Sequence, residues 1–193
     1  MQKSLWLKAV GTAVAATLAA ATAAHAAPAP APASAGEVHS AAVTLRYDDS
    51  RAAGWEAAVA AGVASWNQTV DNVQLVEAAP GTRAEIVIVA TSGWPQAMLG
   101  PVRPGGQVRV ELGSQAVAQG YNKTRIAAHE LGHSLGLPDT KPGPCSQLMS
   151  GSTAGVSCTN AVPNLTERSR VESYYGGFAS RVPADGRVLA DAG

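Results

Sequence analysis

The residues of this chain best placed to do chemistry are two histidines four apart with a glutamate beside the first: His129-Glu130-Leu131-Gly132-His133. On a helix that spacing puts both imidazoles on one face, one turn apart, close enough to grip a single Zn2+. Glu130 is placed to take a proton from metal-bound water. Gly136 can stop the helix and turn the chain, so that Asp139 returns with a third ligand. Three protein ligands leave the fourth position of a tetrahedral ion to water, whose pKa the cation lowers to roughly 7. Glu130 then accepts the proton and delivers it to a leaving nitrogen, while the cation stabilises the tetrahedral oxyanion. The chemistry is hydrolysis of an amide. Glu167 or Glu172 could supply the third ligand instead, as in gluzincin-type peptidases; the Gly136-x-x-Asp139 spacing, with Asp in place of the usual third His, favours Asp139.

The rest of the chain says where this pair operates. Of the 4 histidines, His25 and His39 lie at the N-terminal end, and the other two are the candidate ligands. Residues 1–26 open with Lys3 and Lys8, continue as an Ala-rich apolar run and end in Ala24-His25-Ala26, the pattern of a secretory signal peptide. The weak hydrophobicity of the run and its small-x-small end argue for processing rather than a membrane anchor, and no other stretch could span a bilayer. Residues 27–41 begin with alternating Ala and Pro followed by Ser34, Ala35 and Gly36, favour polyproline II there and read as a linker or pro-segment. The folded domain is expected over 42–176, one core's worth of chain, followed by a loose tail over 177–193. With 14 basic and 14 acidic residues and no basic stripe, the composition argues against a nucleic-acid partner. Cys145 and Cys158, an even pair in a secreted chain, imply a disulfide that should stabilise by about 3 kcal/mol.

The elements that must carry the motif can be read from periodicity. Val43–Tyr47 is an expected strand, with Asp48-Asp49-Ser50 offering caps for a helix over 51–68 whose Trp55, Val59, Val63 and Trp66 form a core face. Val73–Glu77 is a second strand, and Ala84–Ala90, nearly continuous in apolar residues, a central one covered on both faces. Residues 93–106, broken by Pro95, Pro101 and Pro104, are expected as a loop, and Gln107–Leu112 as a half-buried strand at a sheet edge. Asn122 or Thr124 caps the motif helix, which ends near Leu135 because Pro138 cannot continue it. Asn164-Leu165-Thr166-Glu167 has the form of a capping box opening a last helix to about Tyr175.

At this point the sequence resembles the snapalysins, small secreted neutral metalloproteases of bacteria. The resemblance spans about residues 42–175. It rests on His129-Glu130-x-x-His133-x-x-Gly136-x-x-Asp139, on Leu137-Pro138-Asp139, on Gly143 through Gly151, on Ser157-Cys158-Thr159-Asn160 and on Glu167 through Val171. It implies an α+β (α/β-like) metzincin fold, with a twisted, mostly parallel sheet, an active-site helix and a C-terminal helix. It also implies His129, His133 and Asp139 as zinc ligands, Glu130 as the catalytic residue and Met149 as the Met-turn floor beneath the metal. A Cys145–Cys158 bridge and a preference for an aromatic residue just after the scissile bond follow in the same way. The family's calcium site, an Asp and a Thr before the active-site helix, corresponds here to Asn122 and Thr124, and losing a carboxylate weakens a site for a hard cation. After the third ligand, relatives carry His-Tyr where this chain has Thr140-Lys141; Lys141 thus stands where a family tyrosine could help bind the oxyanion. The expectation is a secreted, monomeric zinc endopeptidase acting on proteins or peptides, with no membrane or nucleic-acid partner. Two other classes fit the motif less well: a silent zinc module, for which Glu130 would be superfluous, and an exopeptidase, for which no residue to capture a terminal amine is evident.

Overall fold

The computed structural model of the chain describes residues 41–177 and 186–191. The expected signal peptide over 1–26 and the segment over 27–41, residue 41 excepted, lie outside the described residues. In chain order the elements are β1 (Val43–Arg51), α1 (Glu56–Asn67), β2 (Val73–Glu77), β3 (Ile86–Thr91), β4 (Gln96–Met98) and β5 (Val108–Gly113). Then follow α2 (Ser114–Ala118), α3 (Lys123–Ser134), a 3-10 segment (Leu148–Ala154), α4 (Leu165–Tyr175) and β6 (Val188–Ala190). The strands form one sheet in the order β2-β1-β3-β5-β4-β6. β1, β2, β3 and β5 run parallel, and β4 is antiparallel to both β5 and β6. This is the expected α+β arrangement of a mostly parallel sheet with a motif helix and a C-terminal helix.

Register explains how the sheet presents a face to the helices. Tyr47 lies opposite Ile86, Ile86 opposite Val108 and Ile88 opposite Val110, so these side chains share one face. Leu45, Ile86, Ile88, Val110 and Leu112 on that face are all buried and join the core with Val59, Trp66, Leu131 and Leu135 of the helices. On the other face Arg46 and Arg109 are exposed and Val87 is half-buried. β3 is therefore central, as its composition suggested, and its second face is partly covered, with Val89 buried and Val87 half-buried.

Three local expectations change. Asp48-Asp49-Ser50 extends β1 instead of capping a helix; the chain turns at Ala52 and Gly54 (φ 80°), and α1 starts at Glu56. The proline-rich stretch 93–106 contains β4, so β5 has a neighbour on each side and is not an edge. The alternation of β5 reported a half-covered face, which an interior strand of a one-sided sheet shows equally well. Finally, within the tail expected to be loose, Val188–Ala190 pairs with β4.

Helix α3 is positioned mainly by α1. Gly62 lets the helices touch: a Cβ there would lie 2.9 Å from the Ala128 amide nitrogen. The Trp66 indole then donates to the Ala128 carbonyl at 2.9 Å. From the other side, the Gly100 and Val102 amides donate to the carbonyls of His133 and Ser134, tying the end of α3 to the chain leaving β4.

Candidate metal centre

The Asn122 side chain accepts from the Arg125 amide and caps α3. Ten consecutive residues of this helix, Arg125–Ser134, are buried, so the motif lies inside the protein and not on a wet face. After Leu135 the chain reverses through Gly136 at φ 103°, a conformation that disfavours any residue with a Cβ. The amides of Gly136 and Leu137 close the helix end onto the carbonyls of His133 and Gly132. That reversal brings Asp139 back over the histidines. Its Oδ1 lies 3.3 Å from His129 Nε2 and 3.6 Å from His133 Nε2. Bonds of about 2.0–2.1 Å in tetrahedral geometry place ligand atoms roughly 3.3–3.4 Å apart; the two Asp139–histidine separations are close to that, and all three ligand atoms lie within 4.8 Å of one another.

The orientation of both rings is fixed from behind. His129 Nδ1 lies 3.0 Å from the Leu148 carbonyl oxygen and His133 Nδ1 2.7 Å from that of Leu137. A carbonyl only accepts, so each Nδ1 carries a proton, which leaves Nε2 as the nitrogen available to a metal. Both Nε2 atoms, Asp139 Oδ1 and both carboxylate oxygens of Glu130 are buried without a hydrogen-bond partner among the described residues. Asp139 is near His129 but off its hydrogen-bond axis. Five unsatisfied polar atoms at one point would be costly in a finished core, and a cation with its water accounts for them. The residues fit the group.

Charge at the centre is strongly coupled. Burial opposes a charge on His129, but Asp139 and the neighbouring carboxylates outweigh it and push its pKa up to about 9. Burial pushes Glu130 up to about 8, against the pull of His129. His133 is held down by burial and by the charge of His129. Burial would raise Asp139, but the two histidines keep it below the usual carboxylate range.

The other sequence-derived candidates are placed as follows. The Glu167 carboxylate accepts from the amides of Leu148 (3.2 Å), Met149 (2.8 Å) and Asn164 (2.7 Å), closing the capping box of α4 and propping the 3-10 segment. The Glu172 carboxylate accepts from the amides of Asp71 and Asn72. Neither is brought to the histidines. Met149 is fully buried, and its Sδ would be 2.7 Å from a Cβ added to Gly132, which places it directly against the motif helix. Cys145 and Cys158 form the disulfide. Asn122 serves the helix cap, and Thr124 lies in the first turn of α3. Lys141 Nζ is 3.7 Å from Asp139 Oδ2 and 2.7 Å from Asp191 Oδ1.

Sequence reasoning missed two residues. Buried Arg125 fans out to the carbonyls of Gln147, Leu148 and Asn160 and to Ser150 Oγ, holding the segment whose Leu148 carbonyl orients His129. Its signal was an arginine within the buried run of a helix. Asp191 reaches within 4.8 Å of the ligand atoms of His129 and Glu130. It follows Val188-Leu189-Ala190, a β-type triplet too short to stand out.

Fold and site together define a class: a mixed α/β domain whose motif helix and following glycine turn bring His129, His133 and Asp139 together beside the Glu130 carboxylate, a group that could hold a metal ion. The family model of the Streptomyces extracellular neutral proteinase (M7) family matches residues 42–177. The chain belongs to this family. It is 41% identical over 146 residues to an extracellular small neutral protease of Streptomyces coelicolor, covering 76% of this chain and 66% of the relative. It is 40% identical over 133 residues to the protein of that name from Streptomyces caespitosus, covering 69% and 97%. For Streptomyces sp. (strain C5) the figures are 40% over 142 residues, 73% and 60%. The chain thus spans less than two thirds of the S. coelicolor and C5 relatives. Among solved structures, the medaka hatching-enzyme zinc-protease high choriolytic enzyme 1 is similar over 51% of this chain and 46% of its own, with 22% identity and a TM-score of 0.37. No helix among the described residues is long and apolar enough to cross a membrane.

Proposed function

We propose that this protein is an extracellular zinc-dependent endopeptidase in which His129, His133 and Asp139 hold the metal and Glu130 moves the proton. The observation that carries the reading is the convergence of three ligand atoms within 4.8 Å of one another, with Asp139 Oδ1 3.3 and 3.6 Å from the two imidazole nitrogens and both imidazoles held from behind by backbone carbonyls. Zinc held there would supply a Lewis acid able to polarise a carbonyl and make water acidic near neutral pH. Glu130 follows His129 on α3, and both its oxygens are buried and without hydrogen-bond partners among the described residues. Such a carboxylate can accept a proton from water and pass it to the departing amine. Asp139 would hold the metal as an anionic ligand, its carboxylate kept ionised by the two histidines. Met149, packed beneath Gly132, keeps the ligand helix from settling away from Asp139.

The family resemblance adds an aromatic preference just after the scissile bond; paired peptides with Tyr or Ala at that position test it. Calcium at Asn122 and Thr124 is no part of the proposed mechanism, since the Asn122 side-chain oxygen already serves the Arg125 amide. The decisive variant is Glu130→Ala, assayed on casein with zinc content measured in parallel. One zinc per chain with hydrolysis lost by about two orders of magnitude or more supports the assignment. Full activity would sink it.

A further inference from the structure

The segment after the family domain returns to the metal centre. The family match ends at residue 177, yet Arg187–Asp191 runs antiparallel along β4. Gln96 lies opposite Ala190, Ala97 opposite Leu189 and Met98 opposite Val188. The Leu99 amide donates to the Arg187 carbonyl at 2.6 Å, and the Asp191 amide donates to the Pro95 carbonyl at 2.9 Å. Without β6, this side of β4 would be the open edge of the sheet. It is also the edge strand whose continuation is tied to α3, through the Gly100 and His133 backbones. An extended peptide adds to such an edge by main-chain hydrogen bonds, and one lying there would run past the candidate ligands.

Asp191 ends the strand inside the site. It is 5% exposed; its Oδ1 pairs with Lys141 Nζ at 2.7 Å and accepts from the Ser152 amide at 3.0 Å. A carboxylate oxygen of the same residue lies within 4.8 Å of the ligand atoms of His129 and Glu130. Gly151, at φ 50°, leaves the room: a Cβ there would collide with Asp191 Oδ1. The strand itself is weakly held, since it is three residues long and Val188 is 52% exposed. A buried, ion-paired carboxylate on a short, poorly buried strand suits a plug better than a core element.

We propose that residues 186–191 are a built-in inhibitory strand. β6 occupies the edge of β4 that a substrate main chain would use, and Asp191 closes over His129 and Glu130 with Lys141 as its anchor. This inference rests on the reading of the site as a peptidase centre. Substrate and tail claim the same backbone groups, so they exclude one another, and apparent affinity for any active-site ligand falls by the fraction of molecules with the edge open.

The test compares the zinc-loaded full chain with its Asp191→Ala and Leu189→Pro variants. Acetohydroxamate, a small zinc-directed ligand, is titrated calorimetrically; exchange of the Leu99 amide and kcat/KM on a blocked peptide are read alongside. Both variants should bind acetohydroxamate about tenfold more tightly if one wild-type molecule in ten is open. The Leu99 amide should exchange faster in Leu189→Pro, and kcat/KM should rise with the affinity. Asp191→Asn, which keeps shape and loses charge, replaces Asp191→Ala if that variant does not fold. Equal or weaker hydroxamate binding in folded, zinc-loaded variants overturns the inhibitory strand while leaving the peptidase reading intact. A wild-type chain that binds no zinc overturns both.

Discussion

Replacing Glu167 by Ala separates its two sequence-level roles, ligand and scaffold. In the structure its carboxylate, 4% exposed, accepts three backbone amides: Leu148, Met149 and Asn164. Removing it orphans two buried amides in the 3-10 segment, at about 1–3 kcal/mol each. It also breaks half of the α4 capping box, at about 1 kcal/mol. Partial entry of water reduces the sum, so a loss of about 3 kcal/mol is expected, equivalent to a fall of roughly 10 °C in Tm for a domain of this size. Because the Leu148 carbonyl orients His129, zinc affinity should also weaken, by about 10- to 100-fold as for other residues behind a ligand. Stoichiometry at saturating zinc should stay at one. The assay is thermal unfolding in chelator, which removes the contribution of metal binding, followed by zinc titration. A Tm unchanged within about 2 °C, or abolished zinc binding while Asp139→Ala keeps it, would refute the assignment.

Further outcomes follow from the same geometry. Gly136→Ala would force a Cβ into φ 103° and 3.0 Å from Pro101. It should cost at least about 1–2 kcal/mol and weaken zinc binding through Asp139, both readable by denaturant titration with and without zinc. Gly62→Ala places a Cβ 2.9 Å from the Ala128 nitrogen and 3.2 Å from neighbouring backbone atoms, so α1 must move off α3. A loss of about 1–3 kcal/mol is expected in urea unfolding. The Cys145→Ser, Cys158→Ser double variant should lose about 3 kcal/mol, and reductant should then have no further effect on its unfolding midpoint.

Much of this was legible in the chain because the decisive signals are local. A four-residue histidine spacing, a glycine stop and an Asn-x-x-Glu cap each determine a turn of backbone without reference to distant residues. The core face of α1 was readable for the same reason. What escaped depends on partners far away in sequence. β4 is three residues amid prolines and exists because β5 pairs with it. The position of β5 inside the sheet could not be read from an alternation that reports only one covered face. Arg125 acquires its purpose from carbonyls some twenty to thirty-five residues on. Asp191 reaches the centre only because β4 offers it an edge. The Asp48-Asp49-Ser50 cluster misled because good capping residues also tolerate the end of a strand that leads into a turn.

The central claim is a zinc-dependent peptidase centre built from His129, His133, Asp139 and Glu130. Its most direct test is metal removal and readdition on the full chain, following cleavage of an internally blocked peptide. Dialysis against a chelator should abolish cleavage, and zinc should restore it in proportion until one equivalent is bound. Glu130→Ala should take up the same equivalent and remain inactive. Cleavage that persists in the zinc-free protein, or returns in full to zinc-loaded Glu130→Ala, would contradict the account.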